Sequence, residues 1–131
     1  MSAIPARASY GATVPILEVS DDATWFHAFG VEPQTEGISG DEFVRELRIP
    51  TTGAEALHIS WDEADRSVRV RWLRATKTLV ELFREQVTAL RVETTGADSV
   101  LIMEYGSPDV MGHVVIQVGP EVTFKDTFMR T

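Results

Sequence analysis

The chain has 131 residues, 44% of them hydrophobic, which suffices for one modest core and is too short for two independent domains. Twelve Lys and Arg against twenty Asp and Glu leave a net charge of −8, which disfavours nucleic-acid backbones and anionic membranes and favours a partner with a basic surface. Cysteine is absent, so disulfides, thiolate nucleophiles and Cys-bound zinc are excluded; with no signal-like or membrane-length apolar stretch, the expectation is a soluble cytoplasmic protein.

Residues 1–11 are rich in Ala, Ser and Gly without periodicity and read as a flexible N-terminal segment, leaving 12–131 as a single β-rich domain. Ala12 to Val19 reads as a strand, and Pro15, which lacks an N–H, assigns it to an edge. Ser20-Asp21-Asp22 offers N-caps for a short helix through Trp25, Phe26 and Phe29, with Gly30 as its stop, although a strand also fits this segment. Pro33, Gly37, Ser39 and Gly40 mark a loop from Val31 to Asp41.

From Glu42 onward the pattern alternates, and pairing Ile49 with Leu57 and Leu47 with Ile59 keeps the apolar side chains on one face. Continuing through a turn at Glu63 to Arg66 sets Trp61 opposite Val68, Ile59 opposite Val70 and Leu57 opposite Trp72. The result is a meander over 42–49, 56–62 and 67–73. Its apolar face carries Phe43, Leu47, Ile49, Leu57, Ile59, Trp61, Val68, Val70 and Trp72, and its wet face carries His58, Ser60, Asp62, Arg69 and Arg71.

Thr78 to Leu90 changes period. Leu79, Leu82, Phe83, Gln86, Val87 and Leu90 fall on one side of a helical wheel, and Thr78 with Glu81 has capping-box spacing, so the pattern predicts an amphipathic helix over about 78–86. A strand over 78–84 is the competing reading. A second meander then follows through 88–93, 99–105 and 113–118, with a last strand over 122–128; Val100 to Met103 is apolar on both faces, as in a central strand covered on two sides.

The two meanders share a motif. Leu47-Arg48-Ile49-Pro50-Thr51-Thr52-Gly53-Ala54-Glu55-Ala56-Leu57-His58-Ile59 matches Leu90-Arg91-Val92-Glu93-Thr94-Thr95-Gly96-Ala97-Asp98-Ser99-Val100-Leu101-Ile102 in kind as well as in the Thr-Thr-Gly-Ala centre. The expected fold is therefore mainly β (α+β): two antiparallel three-stranded meanders, about 42–73 and 88–118, related by an internal repeat and packed as a small sandwich or half-open barrel with one amphipathic helix.

No catalytic constellation is legible. His58 and Asp62 share a strand face with Arg69 and Arg71 across from them, which suits an anion site or proton transfer, yet a solvated face of cross-strand ion pairs has the same pattern and is the commoner case. The three histidines, His27, His58 and His113, show no metal-ligand spacing, and no cofactor motif occurs, so neither metal nor cofactor is expected. Arg66, Arg69, Arg71 and Arg74 around Trp72 resemble a nucleic-acid surface, but the overall charge opposes it. Asp62, Glu63 and Asp65 sit in a turn, where such residues serve the backbone, and Trp25, Phe26 and Phe29 fit either a core or an aromatic anchor for a partner.

These features favour a non-catalytic protein-interaction module, such as an inhibitor, immunity protein or accessory subunit, presenting Asp62, Glu63, Asp65 and Trp25 to a basic partner. The alternative is an enzyme or small-molecule carrier with a pocket between the meanders, using His58 or His113 with Arg69 or Arg71. Homo-oligomerisation through the Pro15 strand or the last strand is a further expectation.

Overall fold

The structure, a computed structural model, describes residues 16–35, 37 and 43–130; the expected flexible segment, Pro15 and Glu42 lie outside them. Alternation in residues 44–74 produces three strands, β3 (Val44–Pro50), β4 (Glu55–Asp62) and β5 (Ser67–Arg74). Their register is the one derived from apolar matching: Leu47 opposite Ile59, Ile49 opposite Leu57, Trp61 opposite Val68, Ile59 opposite Val70 and Leu57 opposite Trp72. A slip by one residue would have turned these side chains to water. Phe43 departs from the expectation. It precedes β3 and is 48% exposed rather than part of the apolar face.

The helix expected over 78–86 is not formed. Residues Lys77–Arg84 make β6, antiparallel to β5. Two edge pieces complete the early chain: β1 (Glu18–Val19) and β2 (Gln34–Thr35), the latter within the stretch read as loop, with the helix α1 (Asp22–Phe29) between them. Asp21 caps α1 and Gly30, at φ 76°, ends it, as the cap residues predict. The second half runs through β7 (Val87–Thr95), β8 (Asp98–Ser107), β9 (Val110–Gln117) and β10 (Thr123–Arg130).

Two five-stranded sheets result, β2-β3-β4-β5-β6 and β1-β7-β8-β9-β10, with β1 parallel to β7. Their inner faces meet in one core that includes Leu57, Ile59, Val68 and Val70 from the first sheet and Leu90, Leu101, Met103, Val114 and Ile116 from the second. This is the sandwich expected from two facing meanders, each extended by a fourth long strand. On one side β1, α1 and β2 join the two sheets, and Trp25 from the helix stacks on Trp61 of β4 with centroids 5.4 Å apart. On the other side Trp72 packs near Phe124 at 6.2 Å, while Arg84 of β6 forms an ion pair with Asp126 of β10.

Both Thr-Thr-Gly-Ala stretches turn one strand into its antiparallel neighbour, and their glycines share a left-handed backbone, φ 64° at Gly53 and 63° at Gly96. The pairing beyond them differs. Thr51 N–H donates to the Glu55 carbonyl and encloses Thr52 to Ala54, whereas Thr95 lies opposite Asp98 and encloses only Gly96 and Ala97. An odd difference in loop length reverses which side chains face inward. Leu57 and Ile59 are therefore core residues, while Val100 and Ile102, aligned with them in sequence, face out, and Leu101 and Met103 point inward instead. The apolar outer side of β8 is thus half-covered by its sheet neighbours. Among the described residues no further layer lies over it.

Candidate functional site

The best-organised polar cluster lies on the outer face of the first sheet. His58 alternates with the buried Leu57 and Ile59 and so projects outward, directly opposite Arg48 and Arg71 in register. Its Nε2 lies 2.8 Å from Oε1 of Glu46 on β3, and its Nδ1 lies 3.3 Å from Nη2 of Arg71 on β5. A guanidinium offers donors only, so Nδ1 is the acceptor and Nε2–H donates to Glu46; the tautomer is assigned from these partners. The ring's one lone pair therefore faces a cation and is not open to a substrate proton. Glu46 is the partner that strand spacing alone missed: it pairs with Ser60 and reaches His58 on the diagonal, a contact the derived register already contained.

Arg69, by contrast, turns away from this cluster, pairing with Glu81 at 2.7 Å and covering the ring of Phe83 at 4.9 Å. His113, flanked by the buried Gly112 and Val114, projects from the outer face of the second sheet opposite Glu104. His58 and His113 thus stand on opposite outer faces of the sandwich, with the apolar core between them. They cannot line one pocket between the meanders. Among the described residues no three His, Asp or Glu side chains converge as metal ligands.

The residues read as a partner face are brought into one neighbourhood, with a change of role. Trp25 is fully buried, its indole N–H donating to the Ser20 carbonyl at 2.9 Å, so it anchors the helix inside the core and offers nothing to a partner. Its stacking partner Trp61 donates its own indole N–H to Glu63 at 3.2 Å, and Asp62 accepts from the backbone N–H groups of Ala64 and Asp65 at 3.0 and 2.9 Å. Asp62 and Glu63 thus shape the turn, and Asp65 remains exposed. One helical step beyond Trp25, Phe26 points to solvent and is 55% exposed. Residues 16–35 carry Glu18, Asp21, Asp22 and Glu32 with no Lys or Arg among them, and among the described residues only Asp22 of these is held by an ion pair, with Arg45 at 3.0 Å.

Charge divides accordingly. Residues 43–85, which build the long strands of the first sheet, carry eight Arg or Lys against seven Asp or Glu, whereas 86–130 carry three against six. Among the described residues the excess acid sits on the helix segment and the second sheet.

Asp21 ties this acidic segment to stability. Its side chain accepts from the Thr24 hydroxyl and backbone N–H, at 2.6 and 2.8 Å, and these bonds hold its carboxyl below the ordinary value. A lowered folded-state pKa contributes stability that is present above the unfolded pKa and is lost as pH falls through the folded one. Asp21→Asn, which keeps a capping side chain, is expected to melt like the parent at neutral pH and to show a shallower loss of melting temperature below about pH 4. Parallel thermal melts from neutral pH to pH 2 check this, and identical acid limbs would show that the carboxylate is not engaged in solution.

Open clefts accompany these features. One of about 310 Å³ lies between the two Thr-Thr-Gly-Ala turns, lined by Phe29, Ile49, Thr51, Ala97 and Val118 among others, and one of about 430 Å³ on the outer second sheet is lined by Ile102, Met111, Val115 and Met129 with Arg91, Glu104 and His113. No described helix is long and apolar enough to cross a membrane. No protein-family model matches the sequence, and no curated protein aligns with it. The fold is similar to that of a chain in a solved contact-dependent growth inhibition toxin–immunity protein complex from Klebsiella pneumoniae 342, with a TM-score of 0.73 over 88% of this chain and 100% of that one at 9% sequence identity. At that identity the likeness is one of fold.

Proposed function

We propose that this chain is a cytoplasmic protein-interaction module of the immunity type, which binds and inhibits a partner protein with a basic surface. The observation that carries the reading is that its sandwich spans the full length of a chain found in a toxin–immunity complex. The acidic balance agrees with it. The net charge of −8 steers a cationic partner from a distance, and Phe26, exposed on the helix of the acidic segment 16–35, supplies an aromatic anchor inside that field. The anchor role read for Trp25 passes to Phe26, and Asp65 remains the acid of the β4–β5 turn free to face a partner.

The test begins with a partner recovered at low salt, whose growth-arresting activity the chain is expected to relieve on co-expression. The association rate should fall at least about tenfold between ~20 and ~500 mM salt, since exposed charges are screened within a few ångströms at the higher value. Phe26→Ala should weaken binding by about tenfold or more without lowering unfolding free energy, because the ring is already in water. A rate indifferent to salt removes the electrostatic half of the proposal, and a bound partner that keeps its activity removes the inhibitory half.

A further inference from the structure

The edge strand β10 differs from the other long edge, β6. It pairs with β9 over all eight residues, from Thr123 with Gln117 to Arg130 with Val110, without a register shift. β6 carries an irregularity near Trp72 and Leu73, the kind of break that blunts an edge against further pairing. On β10, Asp126, Phe128 and Arg130 on the inward side are exposed along with Lys125, Thr127 and Met129 on the other. Phe128 is 69% and Met129 66% exposed, on opposite faces of this edge strand.

We propose that β10 is a self-association edge, at which a second copy of this chain adds antiparallel about a twofold axis through Phe128. Continuity of the sheet faces allows only registers that place odd-numbered residues opposite odd and even opposite even. Among these, centring on Asp126 sets two carboxylates against each other, and centring on Thr127 leaves Phe128 opposite Asp126. Centring on Phe128 sets the two phenyl rings together, Thr127 opposite Met129, and Asp126 opposite Arg130 on both sides of the axis.

Charge complementarity thus selects one register, and an isologous pairing makes each favourable contact twice. Asp126 retains capacity for the incoming guanidinium: Oδ1 accepts from the Tyr105 hydroxyl at 2.8 Å and Oδ2 from Arg84, one bond to each oxygen, where a carboxylate can take about four. No ion pair holds Arg130 among the described residues. Phe128 and Met129, both mostly exposed in a lone chain, would each gain a directly opposed neighbour across the axis.

This pairing does not depend on the immunity reading and needs only the purified chain. Sedimentation equilibrium at about 100 μM is expected to give twice the chain mass. Phe128→Lys, which sets two ammonium groups against each other across the axis, should give the chain mass, and Phe26→Lys, on the helix, should still give twice that value. The absence of native cysteine makes the register readable by cross-linking. Phe128→Cys should oxidise to a covalent dimer, because directly opposed residues bring their β-carbons within about 5 Å, whereas Thr127→Cys should not. A parent chain that sediments as a monomer, or one cross-linked through position 127 and not 128, overturns the proposal.

Discussion

Replacing Trp25 by alanine is expected to lower the free energy of unfolding by about 3–5 kcal/mol, the range for truncating a large aromatic in a packed core. The ring is fully buried, lies 5.4 Å from Trp61 at an interplanar angle of 13° and 6.1 Å from Phe29, and its N–H bonds the Ser20 carbonyl at 2.9 Å. Truncation loses apolar burial and stacking, and it takes from the half-buried Ser20 carbonyl its indole donor. The helix it belongs to has eight residues and could not persist alone in water, so docking holds it between β1 and β2, and Trp25 is its one fully buried side chain. Phe26→Ala, one residue away and mostly exposed, should change stability by less than about 0.5 kcal/mol. Urea unfolding of both variants makes the comparison. A loss below about 1 kcal/mol for Trp25→Ala would mean that α1 is held by something other than this stack.

The same residue shows where local pattern reaches its limit. Asp21 and Gly30 mark the helix ends in the sequence, because capping is a contact between neighbours. Which of three clustered aromatics turns inward depends on where β4 places Trp61, and nothing local encodes that. The strand registers of β3, β4 and β5 were legible because each carries an uninterrupted period of two with one fully buried face, so only one alignment keeps Leu47, Ile49, Leu57 and Ile59 together. β6 lacks that signature for a physical reason. At a sheet edge Leu79, Val80 and Leu82 are all half-buried, the strict alternation relaxes, and the remaining apolar residues fit a helical wheel equally well. The Thr78 and Glu81 spacing that mimics a capping box serves the sheet: Thr78 pairs with Leu73 and Glu81 with Arg71.

The candidate site was partly readable. Placing His58 and Arg71 on one wet face followed from alternation, while the diagonal contact to Glu46, which with Arg71 occupies both ring nitrogens, depends on how the side chains turn across three strands. The repeat gave the turn conformations at Gly53 and Gly96 but not the registers beyond them, because one residue of difference in loop length inverts the faces of β8 relative to β4. That inversion is what leaves Val100 and Ile102 on the outside. An apolar stripe on an exposed face thus arose from a turn, a cause that hydrophobicity alone does not reveal.

Gly106→Ala is expected to be the other most damaging substitution, at about 3 kcal/mol or more. Gly106 has φ 143°, a region closed to residues with a β-carbon, and a β-carbon there would lie 2.1 Å from the Val110 carbonyl oxygen and 3.0 Å from the Met111 Cα. Both obstacles are backbone of the partner strand, since Gly106 lies opposite Met111 at the closing end of the β8–β9 hairpin. No rotamer change relieves them. Relief requires the hairpin end to open, which also strains the 3.0 Å bond from Gly106 N–H to the Gln86 carbonyl at the crossing between sheets. Gly112→Ala makes the contrast: its β-carbon meets the Tyr105 ring at 2.4 Å, a side chain that can swing aside at the loss of its bond to Asp126, so a cost of about 1–3 kcal/mol is expected. Chemical denaturation should rank Gly106→Ala above Gly112→Ala. The reverse order would place the rigid part of this corner in the tyrosine packing and not in the backbone of the hairpin.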